Sequence, residues 1–143
     1  MKTHFLSWTI AFMVASVAFV KPAGETKSVN TTNKNISLLI YKDCDYNADV
    51  YKNTFVQVKV TIEKVDGKNR TSVWTKTFLP TELADFPSLD AAIPHSLLVR
   101  EIKKGKEHLE VLYTLEYNTN GQQLLMYGRQ MVDQNDGYIK ISI

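Results

Sequence analysis

Cysteine is nearly absent: Cys44 is the only one in 143 residues. An intrachain disulfide is therefore excluded, and packing alone must hold the fold. Asp43 and Asp45 flank Cys44. Nothing basic stands beside it to activate a thiol, so it reads as a small buried or tolerated residue. Histidine is scarce too, at His4, His95 and His108. Neither His95 nor His108 has a neighbour at metal-ligand spacing, so zinc is not supported. His95-Ser96 is an adjacent pair, which is not the geometry of a catalytic triad. No glycine-rich loop follows a strand and opens a helix, so nucleotide binding is unsupported. A charge excess of one sign is also missing. The chain carries 17 Lys and Arg against 15 Asp and Glu. A near-neutral chain offers no electrostatic case for nucleic acid or for an anionic membrane. There are no heptads and no internal repeats. This reading nominates no catalytic, cofactor-binding or metal-binding residue and expects no enzyme and no cofactor.

What is present begins with an apolar leader. Lys2 precedes Phe5 to Val20, a run broken only by Ser7, Thr9 and Ser16. A charged start followed by an apolar run of this length has the form of a signal peptide. The run is short for a bilayer span, which needs about 20 apolar residues. Ser16 and Ala18 place small residues at −3 and −1, so residues 1–18 are expected to be removed as a leader. The competing form is an uncleaved N-terminal anchor. Cleavage leaves 16 basic and 15 acidic side chains, a net +1. The mature chain is expected outside the cytosol, secreted or periplasmic, without stable membrane insertion. Residues 19–35 are polar, hold Pro22 and Gly24, and read as a flexible linker. Asn30, Asn35 and Asn69 each begin an Asn-x-Ser/Thr acceptor pattern, which matters only in a cell that glycosylates exported proteins.

Residues 36–143 carry the folding signal. In Phe55 to Glu63, Val56, Val58, Val60 and Ile62 alternate with Gln57, Lys59, Thr61 and Glu63. Side chains alternate across a strand, so this is a strand with one dry and one wet face. Asp66-Gly67-Lys68-Asn69 supplies a turn, and residues 71–79 return, with a bulge expected at Lys64-Val65. Other strands are expected at 37–41, 95–102, 107–117, 122–132 and 138–143. Leu109, Val111, Tyr113, Leu115 and Tyr117 share one face, opposite His108, Glu110, Thr114 and Glu116. Asn118-Thr119-Asn120-Gly121 is a hairpin turn. Ile139, Ile141 and Ile143 align, while the facing of 122–132 is less regular. Pro80, Pro87 and Pro94 interrupt the pattern, so 80–94 reads as a crossover between sheets with room for one short helix. The expectation is an all-β fold: a seven-stranded antiparallel β-sandwich. Its layout resembles prealbumin-like and immunoglobulin-like folds in architecture, which implies no function.

Two features point toward binding. Asp43, Asp45, Asn47 and Asp49 put oxygen donors at alternate positions, as a calcium loop requires. Ala48 stands where such a loop wants glycine, and Thr54 where it wants a bidentate Glu. No helix pattern flanks the stretch, and a solvated acidic turn between strands is the favoured reading. Tyr41, Tyr46 and Tyr51 lie in or beside the same segment, where aromatic rings stack on sugars or anchor a protein. Trp74 and Phe78 read as core. The function expected is a non-enzymatic exported interaction module, meeting a protein or a surface glycan through 42–53 and 80–94, or through a flat edge strand. The alternatives are a small-ligand carrier with a cavity between the sheets and an inhibitor plugging a hydrolase cleft with 80–94.

Overall fold

The structure, a computed structural model, describes residues 30–133 and 137–143. The expected leader and residues 19–29 of the expected linker lie outside the described residues. So does the middle of the turn before the last strand. Eight strands are formed: β1 (Thr31–Tyr41), β2 (Thr54–Asp66), β3 (Asn69–Thr77), β4 (Thr81–Glu82), β5 (His95–Lys103), β6 (His108–Thr119), β7 (Gln122–Met131) and β8 (Tyr138–Ser142). They make a three-stranded sheet in the order β5-β1-β8 and a five-stranded sheet in the order β3-β2-β6-β7, with β4 on one end of β2.

The β2 alternation works as read. Val56, Val58, Val60 and Ile62 are at most 1 % exposed, and they meet Leu109, Val111 and Leu115 of β6 in one layer. Ile36, Leu38 and Ile40 of β1, Val99 and Ile102 of β5, and Ile139 and Ile141 of β8 form the opposing layer. Burial of each such side chain contributes about 1.5–3 kcal/mol. Trp74 and Phe78 pack half-buried against this core. Twelve consecutive residue pairs join β2 to β6, and ten join β6 to β7. The second ladder starts from a two-residue loop in which Asn120 and Gly121 take φ of 51° and 81°. A type I′ turn needs positive φ at both positions, which this dipeptide accepts.

Several expectations need correction. Among the described residues there are eight strands, not seven, because the crossover pairs Thr81-Glu82 with Val56 and Phe55. Two residues leave no periodic pattern in a sequence. The fold is not wholly antiparallel, since β8 runs parallel to β1. It arrives from the other sheet, so no hairpin fixes its direction. β1 begins at Thr31, six residues before the expected start at 37, so the end of the expected linker is strand. Its backbone bonds to β5 do not depend on which side chains flank them. The register shift of β2 falls at Ile62/Glu63, with Val73 the extra residue on β3, and not at Lys64-Val65. No α-helix occurs among the described residues. The crossover instead holds two single 3₁₀ turns, Leu83–Asp85 and Leu89–Ala91.

Candidate functional site

The segment 42–53 does not gather its carboxylates. Asp43 lies 2.9 Å from the Tyr46 hydroxyl, Asp45 pairs with Lys42 at 3.7 Å, and Asp49 pairs with Lys52 at 2.6 Å. Each acid is turned to a separate local partner. Among the described residues no group of three His, Cys, Asp or Glu is placed to hold a metal. The Tyr46 hydroxyl is also 2.6 Å from the main-chain oxygen of Ile143, which ties the loop to the end of the small sheet. Burial, then the Asp43 carboxylate beside it, pushes the Tyr46 phenol above its usual range. The same hydrogen bond, ahead of one from Ser142, holds Asp43 below its usual range. Cys44 is exposed rather than buried. Two of the three tyrosines come together: Tyr46 and Tyr51 meet edge to face, with ring centroids 5.1 Å apart, while Tyr41 takes no part in the pair. With Leu83, Tyr117 and Leu124 they line a shallow groove of about 400 Å³.

Buried side chains of both sheets fill the middle of the interface between them. Free volume opens at its margins: a pocket of about 370 Å³ lies between Thr32, Ile102, His108, Leu109 and Val132, and a larger one lies at the flank where the crossover joins β3 to β5. Leu83 and Phe86 are buried and pin the crossover to the body. The amide of Lys42 donates to the carbonyl of Pro87, which fixes its middle. Beneath it opens a cleft of about 600 Å³, walled by Ile40, Val58, Phe78, Phe86 and Ile93, with Lys76 and His95 at one side. The His95 ring is 5.0 Å from the Phe78 ring, and the Lys76 ammonium stands 4.6 Å from the Phe78 centroid. Burial, then the nearby Lys76 charge, lowers the His95 pKa. Leu79 and Ile93, at 84 % and 78 % exposure, flank the mouth. The sequence nominated the crossover; it gave no reason to connect it with Lys76 or His95.

A polar cluster spans the outer face of the five-stranded sheet. Glu110, 6 % exposed, accepts from Arg70 at 2.6 Å and Arg129 at 3.1 Å on one carboxylate oxygen. Its other oxygen is 3.2 Å from His108 Nε2. Arg70 also reaches Glu63 at 3.1 Å. The hydrogen bond from Arg70, then that from His108, holds Glu110 below the usual carboxylate range. These residues come from β2, β3, β6 and β7. Charge is matched and both carboxylate oxygens are engaged, so the cluster is a staple across four strands.

β7 is an edge strand that carries a run of exposed apolar side chains. Leu124, Leu125, Met126, Tyr127 and Met131 are between 49 % and 76 % exposed. They lie on both faces of an edge strand. Leu124 and Met126 share the inner side with Tyr117 and Leu115, and Leu125, Tyr127 and Met131 lie outside. In a two-residue hairpin the flanking pair exchanges both hydrogen bonds, and pairs then alternate. Counting from Thr119 and Gln122, the main-chain groups of Gln123, Leu125, Tyr127, Arg129 and Met131 point away from β6. Nothing in the strand interrupts that row: it has no proline, no lysine and no bulge. Gly128 keeps it flat against β6, since a Cβ there would stand 2.0 Å from the Tyr113 ring. No protein-family model, curated protein or solved structure matches this chain.

Proposed function

We propose that this chain is an exported, non-enzymatic β-sandwich module, of immunoglobulin-like or prealbumin-like type, that engages a protein partner by strand addition along β7. The observation that carries this reading is the unprotected edge. Edge strands are normally blunted by charge, proline or a bulge. A run of consecutive apolar residues is what a strand carries when both its faces are covered. Leu124-Leu125-Met126-Tyr127 has that composition while lying at an edge. An added strand would satisfy the free main-chain groups, and side chains alternating to the two faces would confer specificity. The tyrosine groove of the 42–53 loop adjoins the start of β7 and extends the same surface.

The test is cross-linking and capture on the native cell surface, comparing wild type with the double variant Leu125→Lys, Tyr127→Lys. Wild type is expected to retain a partner that the variant loses. Equal capture by both, or none by either, would retire strand addition.

A second reading is favoured by the flank cleft: a carrier that holds a small apolar ligand under the crossover. Its volume lies within the range of ligand pockets, about 300–1,000 Å³. The inhibitor reading draws less support, because buried Leu83 and Phe86 draw the crossover in against the body, where a plug must project.

A further inference from the structure

We propose that the cleft beneath the crossover takes a free anionic amphiphile: an alkyl or aryl body ending in a carboxylate, sulfate or phosphate. The body lies against Phe78, Phe86 and Ile93, and the head meets Lys76. This inference rests on the second reading above and supplies the chemistry of its ligand.

The walls dictate the body. Ile40, Val58, Phe78, Phe86, Pro87 and Ile93 offer carbon and almost no polar atoms. A polar occupant would lose hydrogen bonds to water along the carbon walls and could regain them only at Lys76, Thr77, Thr81 and His95. The ionisable lining dictates the head. Lys76 and His95 are the only ionisable side chains that line the cleft, and no carboxylate does. The acids of the crossover, Asp85 and Asp90, are exposed on its 3₁₀ turns and do not line it. Among the described residues Lys76 makes no salt bridge; its ammonium stands over the face of Phe78, 4.6 Å from the ring centre. An ammonium held over an aromatic wall, with no counter-ion, is placed to receive an anion whose tail follows that wall inward. A cationic amphiphile would bring like charge against Lys76, and a neutral one would forgo the attraction.

Leu79 and Ile93 explain why the ligand is a free molecule rather than a lipid surface. They are the two strongly exposed apolar side chains that line the cleft. Two such contacts offer little to a bilayer, which is held by a broad apolar face or a cluster of basic residues.

The experiment is site-resolved NMR titration of the purified protein, following the Val58 and Ile93 methyl groups. The probes are octanoate, 1-octanol, octyltrimethylammonium and vesicles of anionic phospholipid. The expected result is saturable shifts at both methyls, tightest with octanoate. Lys76→Gln should weaken octanoate about fivefold and leave octanol unchanged, as loss of one partly solvated charge contact implies. Lys76 is exposed, so this variant folds; unchanged amide spectra far from the cleft confirm it. If octanol binds as tightly as octanoate and Lys76→Gln changes neither, the anionic head is overturned while the cleft reading stands. If no probe moves the two methyls, the cleft reading falls and the inference with it. If only vesicles bind, the ligand is a membrane surface and the proposal is wrong.

Discussion

The two edges of the five-stranded sheet are built on opposite principles. β3 carries Arg70, Lys76 and a row of Ser and Thr, and Val73 inserts a bulge against β2. Those are the devices by which edge strands discourage a foreign strand. β7 has Arg129 as its sole charge, and that side chain turns back to Glu110. Both strands pair with a central strand of the same sheet and contribute an arginine to the same carboxylate. The contrast therefore does not come from the sheet's interior. It comes from what each strand presents outward, and it marks β7 as the edge left open.

Three changes test that contrast, beginning with the largest. Glu110→Ala removes the one group that holds both edges. It leaves Arg70 and Arg129 without their shared partner, at a cost of about 2–3 kcal/mol, less than for a fully buried pair because both arginines are part-exposed. Urea unfolding measures it. The same carboxylate predicts an acid limb. Its folded pKa lies below 4.5, so its contribution is complete above pH 4.5 and is lost as pH falls through the folded value. Glu107 and Asp43, held low by Lys103 and Tyr46, act in the same direction. Glu110→Ala should flatten that limb; an unchanged acid transition would remove Glu110 from the account.

Gly128→Ala comes next and touches only the β7 side. The new Cβ meets the Tyr113 ring, so destabilisation of about 1–3 kcal/mol is expected. Adding Tyr113→Leu should recover part of it, since the clash is with that ring. A double variant as unstable as the sum of the two singles would mean that the ring is not the cause. The smallest effect on stability should come from converting β3 to the manner of β7. Thr75→Leu with Thr77→Leu alters exposed positions, so stability moves by under ~1 kcal/mol. Sedimentation should nevertheless reveal concentration-dependent self-association through the new apolar edge. A strictly monomeric variant would indicate that the bulge and the charges of β3 suffice as protection.

The sequence was most readable where one face is buried. β2, β6 and β8 alternate cleanly because a two-residue period sorts side chains between core and solvent. The uneven facing of 122–132 has a physical counterpart: residues 122–127 are exposed on both faces, and only Gly128 and Gln130, which donates to the carbonyl of Lys140 on β8, are part-covered, so little burial imposes a rhythm there. The first half of β1 was invisible because Thr31 and Thr32 are exposed and hold their place through backbone pairing to β5. The calcium spacing in 43–49 was visible, but spacing along a chain does not aim carboxylates, and Lys42, Lys52 and Tyr46 draw them apart. The Glu110 staple joins residues up to 66 positions apart in the chain, from Glu63 to Arg129, and no local pattern announces it.

Sequence alone set the all-β class, the dry faces of the main strands and the turns between them, because these depend on neighbours two to four positions away. Tertiary structure alone decided that β8 runs parallel to β1, which strands become edges, and that Lys76, His95 and the crossover share one cleft. Those outcomes depend on how two sheets meet, and the free energy of that meeting resides in contacts between residues far apart in the chain.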